Sequence, residues 1–446
     1  MELNTYQQQA FEYQRKNIET YGKRAWGWTV FYVLCILAGL YALFLQITKG
    51  HGITGMRDNV VWGLFIVNFI FFIGLSYAGA IIAGLLHLFK VKWGKPIIRL
   101  AQFMTLISVI VGPIFILLCV GRFDRMHHLF IYPRIQSPLT WDVMAVVTFF
   151  TGAVLFLWLA LIKDLAVYRD ANLNVPKWKQ KIYKMLALGY RGAASQKRHL
   201  LLSQNLMAII MIPLSIVVAS ILSWIFGMTL RPGWHSTIFG PYFVLGAVYS
   251  GCGVLIVAMW FYRKLYKLDY YFTDRHFTYL GYIMLVLAAG YGYFTFSEYF
   301  TAWFGSEKWD SELIHKLFSM SEYGGWTLFA NVAGIALPML IVAIPATRKP
   351  GYIAAGAFIM VMAMWVKRYL IIVPTLEATL LPMQDTRAEY VKYSATWPEW
   401  ALTIAGIATF LLFFTVMSKF VTVVPVSGLE DTHTEHEKHQ LQHEQH

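Results

Sequence analysis

The sequence predicts an all-α integral membrane protein with about ten transmembrane helices. Three observations predict it. Of its 446 residues, 58% are hydrophobic and only 14% are charged, which is too apolar for an ordinary soluble domain. Apolar runs near the length a span needs recur at 26–48, 59–89, 98–121, 143–168, 201–226, 238–262, 276–303, 324–346, 352–376 and 399–422. Lysine and arginine then alternate between connections: the termini and even loops carry 24, the odd loops 10. By the positive-inside rule both termini face the cytoplasm and the odd loops face the exterior. The runs are continuous and lack period-two alternation, so helices are expected and a barrel is not. The net charge of +13 is this bias seen in sum. The basic residues flank spans and form no separate domain, so membrane lipid is an expected partner and nucleic acid is not.

Residues 1–25 read as a polar cytoplasmic lead. They lack an apolar core and a small-residue cleavage site, so no cleavable signal is expected and the first span serves for insertion. The membrane domain covers 26–423. Within it the second span, WGLFIVNFIFFIGLSYAGAIIAGLLHL (62–88), is echoed by FGPYFVLGAVYSGCGVLIVAMWFYRK (239–264). Both enter on an aromatic residue and glycine, then place small residues at helical spacing, which lets membrane helices approach closely. That echo predicts two similar four-helix bundles side by side. Loop four, 169–200, is the longest inside segment. It reads as a positively charged anchor or an interfacial helix touching anionic lipid or a partner. Residues 424–446 form a polar tail with His433, His436, His439, His443 and His446, expected to be disordered, with weak metal binding as the alternative. Cys35, Cys119 and Cys252 stand alone in separate spans. No CxxCH or cysteine cluster is present, so this chain is not expected to hold haem c or an iron–sulfur cluster, and no metal site is expected.

The ionisable residues carry the functional signal. Charges at membrane depth are costly and usually face a bundle interior or a polar path. Here they gather at the outer ends of spans. Arg122, Asp124, Arg125, His127 and His128 crowd loop three, and Asp142 follows where the chain re-enters the membrane, in the first turn of a helix. In RPGWHSTIFGPYF (231–243), Pro232 and Gly233 turn the chain, Trp234 suits the interface, and His235 has Ser236 and Thr237 as expected local partners. Glu298 lies near the outer end of span seven. Lys367 and Arg368 lie about 10 Å deep in span nine by helical rise, either snorkelling or pairing with Asp142, Glu298 or Glu377. Pro374 is expected to break that helix before Glu377. Lys163 and Asp164 at the inner end of span four could pair with each other or line an inner mouth. A site that oxidises a quinol needs a base, a hydrogen-bond donor and an apolar slot, and the outer cluster offers all three types.

Five stretches occur in the order found in NrfD-type membrane subunits, the polysulfide reductase anchor family: VWGLFIVNFIFFIGLSYAGAIIAG (60–84), SPLTWDVMAV (137–146), PGWHSTIFGPYF (232–243), FSEYFTAWFG (296–305) and KRYLIIVPTL (367–376). The chain resembles that family across spans two to nine, and most of all the ActC-type subunits of alternative complex III. The resemblance implies ten helices in two four-helix bundles plus flanking helices. It implies a multi-pass protein of the bacterial inner membrane that oxidises quinol near the periplasmic face, with menaquinol as the expected form. Electrons would pass to iron–sulfur or multihaem cytochrome c subunits, with a second NrfD-like subunit as a further expected partner and proton translocation as an expected coupling. It places the quinol-site carboxylate on Asp142, a loop histidine on His127 or His128, and the WHST histidine on His235. Arg122, Asp124, Glu298, Lys367, Arg368 and Glu377 complete the expected quinone-binding set, with Arg368 orienting Asp142. One departure is Ile225, after Ser223 and Trp224, where several ActC-type members carry aspartate. The alternatives are an ion-coupled secondary transporter and a structural anchor whose quinone site has decayed.

Overall fold

The computed structural model describes residues 5–120, 125–171, 173–229, 231–378 and 391–426. The histidines of the C-terminal tail lie outside the described residues. Ten helical segments are long and apolar enough to cross a membrane. A short helix α1 (Thr5–Glu19) precedes the first span, α2 (Lys23–Lys49). Then come α3 (Gly63–Leu88), α4 (Lys95–Cys119), the one-turn α5 (His128–Ile131), α6 (Pro138–Asp170), the surface helix α7 (Lys177–Leu186) and α8 (Ala194–Gly227). The second half holds α9 (Phe239–Leu265), α10 (Asp274–Gly305), the surface helix α11 (Lys308–Phe318), α12 (Gly324–Asn331), α13 (Leu337–Ala343) and α14 (Pro350–Glu377). The last span is α15 (Trp397–Phe420). Helix α1 and residues 421–426 lie together, and we call that end the terminal face.

Local chemistry sets the helix limits. Pro138 and Pro350 occupy first turns, where a missing N–H costs nothing. α3 starts four residues later than the apolar run. Gly63 has φ +47, and the Tyr393 ring stands 2.7–2.9 Å from where a β-carbon would be, so a side chain there meets both backbone strain and a wall. α12 and α13 form one span joined by a π-turn over Val332–Ala336, whose Gly334 carbonyl accepts a hydrogen bond from the Tyr249 hydroxyl at 2.6 Å. Pro374 does not break its helix: α14 runs on to Glu377. The carbonyl of Ile371, beside that proline's turn, accepts instead from the Trp234 indole at 2.8 Å.

The packing is two rings of four. α3, α4, α6 and α8 close the first, and α9, α10, α12–α13 and α14 close the second. α3 and α9 pack together as the seam between them, while α2 and α15 pair and flank the first ring against α4. The seam explains the sequence echo. A β-carbon on Gly74 would touch Ala247 at 3.4 Å, and one on Gly251 would collide with Ala78. Four small residues, one turn apart on each helix, let the two backbones meet. At the face opposite the termini, Trp62, Phe226 and Trp234 close the join, with Trp62 and Trp234 stacked at 6.5 Å and 13°. Trp234, which sequence context places at the membrane interface, is fully buried there among protein side chains.

The terminal face is laced by long-range bonds. Arg99 of α4, not singled out in the sequence, is buried and pairs with Asp164 of α6 at 2.5 Å, so Asp164 is matched to a different helix from the one that carries Lys163. Residues 421–426 run beneath this pair. Thr422 accepts from Arg99, the Val426 amide donates to Asp164, and Val424 exchanges two bonds with Gln14 of α1. In loop four, Lys179 is buried and donates to the carbonyls of Ile18 and Lys419, while the Tyr183 hydroxyl donates to Phe420. A cation on the last carbonyls of α15 suits that helix end.

Replacing Gly251 with leucine forces α3 and α9 apart and is expected to cost roughly 1–3 kcal/mol. Gly27→Leu, on α2 with open space around it, is expected to be near neutral. Thermal unfolding of both variants in detergent checks this; equal melting temperatures would remove the seam as a determinant of stability.

Candidate functional site

The expected site residues gather at the face opposite the termini but do not form one cluster. Arg122 and Asp124 lie outside the described residues. His127 and His128 are exposed on α5, their rings edge to face at 4.4 Å, and no hydrogen bond or ion pair joins them to Asp142 among the described residues. The remaining residues fall into three places.

The first place is Asp142, the fifth residue of α6. It is only 4% exposed, and its Oδ1 has no hydrogen-bond partner among the described residues. The Tyr77 hydroxyl on α3, also buried and also unpartnered, lies within electrostatic reach of this carboxylate. Tyr77 is held by Phe149, two turns further along α6, edge on at 5.0 Å. A buried polar atom left unpaired costs about 1–3 kcal/mol, and native folds keep few of them. Both atoms lie inside the first bundle and offer one acceptor and one donor that no described residue uses. Sequence reading found the carboxylate from its helix-start position. It missed Tyr77, because one tyrosine in an apolar span carries no pattern that separates it from packing aromatics.

The second place lies in the other bundle. Ser236, expected to serve His235, instead donates to Glu298 Oε2 at 2.8 Å. Lys367 donates to the Tyr299 hydroxyl at 2.5 Å, with its ammonium 4.5 Å from the Tyr299 ring centre, and Glu298 supplies the nearby negative charge. These groups and Asp310 border a cavity of about 60 Å³, otherwise walled by Trp234, Phe239, Leu313 and Leu370. That volume takes a few waters and falls below the roughly 300 Å³ usual for a whole small-molecule ligand. Next along α14, Arg368 is buried with its guanidinium 4.9 Å from the Phe243 ring centre and its Nε unpaired. Gly246 makes room for it: a β-carbon there would come within 3.1 Å of the guanidinium. Lys367 and Arg368 are 4% and 3% exposed, so neither snorkels. With α14 continuing to Glu377, they sit ten and nine residues from its end, about 15 Å by helical rise. Arg368 makes no bond to Asp142 among the described residues, so the expected orienting contact is absent from this structure.

The third place is Glu377. Its carboxylate accepts from Lys316 of α11 at 2.6 Å and from the Tyr393 amide at 2.7 Å. Lys316 thus takes the partnership that the sequence offered to Lys367 or Arg368. Glu399, fully buried at the start of α15, likewise binds the Tyr393 hydroxyl and the Gly55 amide. Both carboxylates fasten the outer loops. His235 is half exposed, its Nδ1 3.1 Å from the Arg231 carbonyl and its Nε2 3.7 Å from Asp310.

Ten spans in two rings, joined by a small-residue seam and enclosing buried carboxylate and hydroxyl groups without partners among the described residues, define a polytopic membrane protein with polar groups in its interior. Residues 52–378 match the family model "Polysulphide reductase, NrfD", and the chain belongs to that family. It is 30% identical over 248 residues to a putative membrane subunit of dimethyl sulfoxide reductase from Halobacterium salinarum, covering 55% of this chain and 53% of that protein. It is 26% identical over 235 residues to a selenate reductase subunit from Mesobacillus selenatarsenatis, covering 51% and 54%. The chain thus spans about half the length of these two relatives. It is 23% identical over 423 residues to the Hdr-like menaquinol oxidoreductase integral membrane subunit of Archaeoglobus fulgidus, covering 90% and 95%.

Replacing Lys316 with methionine leaves Glu377 buried without its counter-charge. The expected loss is near the lower end of the roughly 3–5 kcal/mol for breaking a buried pair, because Lys316 is 19% exposed. Adding Glu377→Gln should recover much of it. Unfolding of the single and double variants measures the coupling; additive losses would show that the two charges do not act as a pair.

Proposed function

We propose that this chain is the quinone-reactive membrane subunit of a respiratory oxidoreductase and that it oxidises a quinol, menaquinol in particular, at the face opposite its termini. The observation that carries the reading is a buried Asp142 carboxylate oxygen with no partner among the described residues, within electrostatic reach of a buried Tyr77 hydroxyl that has none among them either. A quinol hydroxyl placed between them would donate to Asp142 and accept from Tyr77, satisfying both. Oxidation of one quinol to quinone releases two protons and two electrons. Asp142 takes the first proton as general base, passes it outward, and then takes the second. Its place near the start of α6 gives each proton a short way to the loop between α4 and α6. Tyr77 holds the substrate oxygen, the role expected from sequence for His127, His128 or His235.

The electrons pass to iron–sulfur or multihaem cytochrome c partner proteins. Support comes from relatives whose names describe membrane or other subunits of dimethyl sulfoxide reductase, selenate reductase and menaquinol oxidoreductase, and from the likeness of the motifs to ActC-type subunits. The positive-inside count supports cytoplasmic termini, which makes the Asp142 face periplasmic. Activity is expected only within the complex, and the two charged places in the second bundle and outer loops are structural or coupling elements in this reading.

In the intact complex, Asp142→Asn is expected to lower quinol oxidation by roughly 100-fold or more, the usual worth of a positioned base. Tyr77→Phe should cause a smaller fall, mainly in apparent substrate affinity. Steady-state quinol oxidation at equal amounts of assembled complex checks both, and a wild-type rate in Asp142→Asn would refute the assignment.

A further inference from the structure

The loop before α9 and the start of α11 bring three ligand-type groups to one point, although no spacing in the sequence predicts a metal site. The His235 imidazole and the carboxylates of Glu307 and Asp310 each offer an atom, all within 4.8 Å of one another. Two of these groups are already aimed. His235 Nδ1 is 3.1 Å from the Arg231 carbonyl, to which it can only donate, so Nε2 is the nitrogen that faces Asp310 and is free to ligate in the neutral ring. Asp310 Oδ1 accepts from the Gly233 amide at 3.2 Å, which turns Oδ2 toward His235. The Nε2–Oδ2 gap is 3.7 Å, too long for a hydrogen bond. Ligands about 2.0–2.2 Å from a shared tetrahedral ion stand about 3.3–3.6 Å apart, so side-chain rotations that draw in atoms now within 4.8 Å of one another close the set. A remote atom tied to backbone with the near atom left open is the support that metal-bound histidines and carboxylates carry.

Helix electrostatics explains part of the cluster only. Glu307 precedes the first residue of α11 and Asp310 lies in its first turn, where acidic residues are favoured. That preference does not bring a histidine from a different loop to face them. The Gly233 turn does so, with φ +77 at the glycine and its amide on Asp310.

We propose that His235, Glu307 and Asp310 bind one divalent transition-metal ion, with Zn²⁺ preferred over Mg²⁺ and Ca²⁺ because the set includes an imidazole nitrogen. Water fills the remaining position. The ion staples the loop before α9 to the junction of α10 and α11. Asp310 borders the cavity beneath, and Ser236, next to His235, holds Glu298 in its wall, so the staple fixes the roof of that cavity. This assignment is independent of the quinol reading, since it concerns other residues and is tested by binding alone.

The test uses the full chain in detergent with His433, His436, His439, His443 and His446 changed to glutamine, so that the tail offers no competing imidazoles. Isothermal titration with ZnCl₂ in excess Mg²⁺ is expected to show one equivalent bound. His235→Ala and Glu307→Gln should each weaken binding about tenfold or more, the scale on which loss of even a supporting group is felt. Absence of saturable Zn²⁺ binding, or affinity unchanged in both variants, overturns the proposal. Should His235→Ala melt early, Glu307→Gln decides alone, because Glu307 is exposed and its loss leaves the fold intact.

Discussion

Everything else in this structure hangs on the close meeting of α3 and α9. In lipid no hydrophobic force drives helices together, so contact distance decides. Gly74 and Ala78 on one helix and Ala247 and Gly251 on the other give up side-chain volume at the seam. The two rings then share a wall, and each ring needs only three further helices to close. Tyr77 sits one residue before Ala78 and Tyr249 two before Gly251, so the seam also sets which way these tyrosines turn. Tyr77 goes into the first ring against Phe149 of α6, and Tyr249 goes into the second toward the π-turn.

Charge at membrane depth is handled in contrasting ways in the two rings. In the second ring, Glu298 has Ser236, Lys367 has Tyr299, and Arg368 lies over an aromatic face. Each gains a partner that offsets part of its desolvation. At the terminal face of the first ring, Arg99 and Asp164 are matched and then bonded again from outside. Asp142 has no comparable arrangement for its Oδ1. Of the buried side-chain atoms without a hydrogen-bond partner among the described residues, Asp142 Oδ1 is the one carboxylate oxygen.

The ten spans were legible because length and hydropathy act locally. The seam was legible because small residues at helical spacing repeat in both halves. Asp142, Glu298, Lys367 and Arg368 stood out because ionisable residues in apolar runs are rare. Their partners did not. Lys316 and Asp310 lie on a short amphipathic helix between spans, and nothing in their local sequence points to Glu377 or to Gly233. Arg99 does not stand out because it lies at the very start of its apolar run, where a cation is ordinary. Lys367 reads as shallow because a proline ordinarily stops a helix, whereas α14 passes through Pro374 and carries the lysine about 15 Å from its end. Trp234 reads as an interfacial residue since the sequence shows a turn but not the second bundle lying across it.

The short run 421–426 has a consequence for how the protein is made. Spans enter the bilayer in chain order, and the first ring is complete in sequence long before the last span. Yet the Arg99–Asp164 pair inside that ring draws bonds from Thr422 and Val426. Until those residues arrive, the pair lacks the bonds that Thr422 and Val426 bring to it. The ring made first therefore receives part of its bonding only after the last of the ten spans, and a chain stalled before residue 421 lacks the segment that covers its buried ion pair.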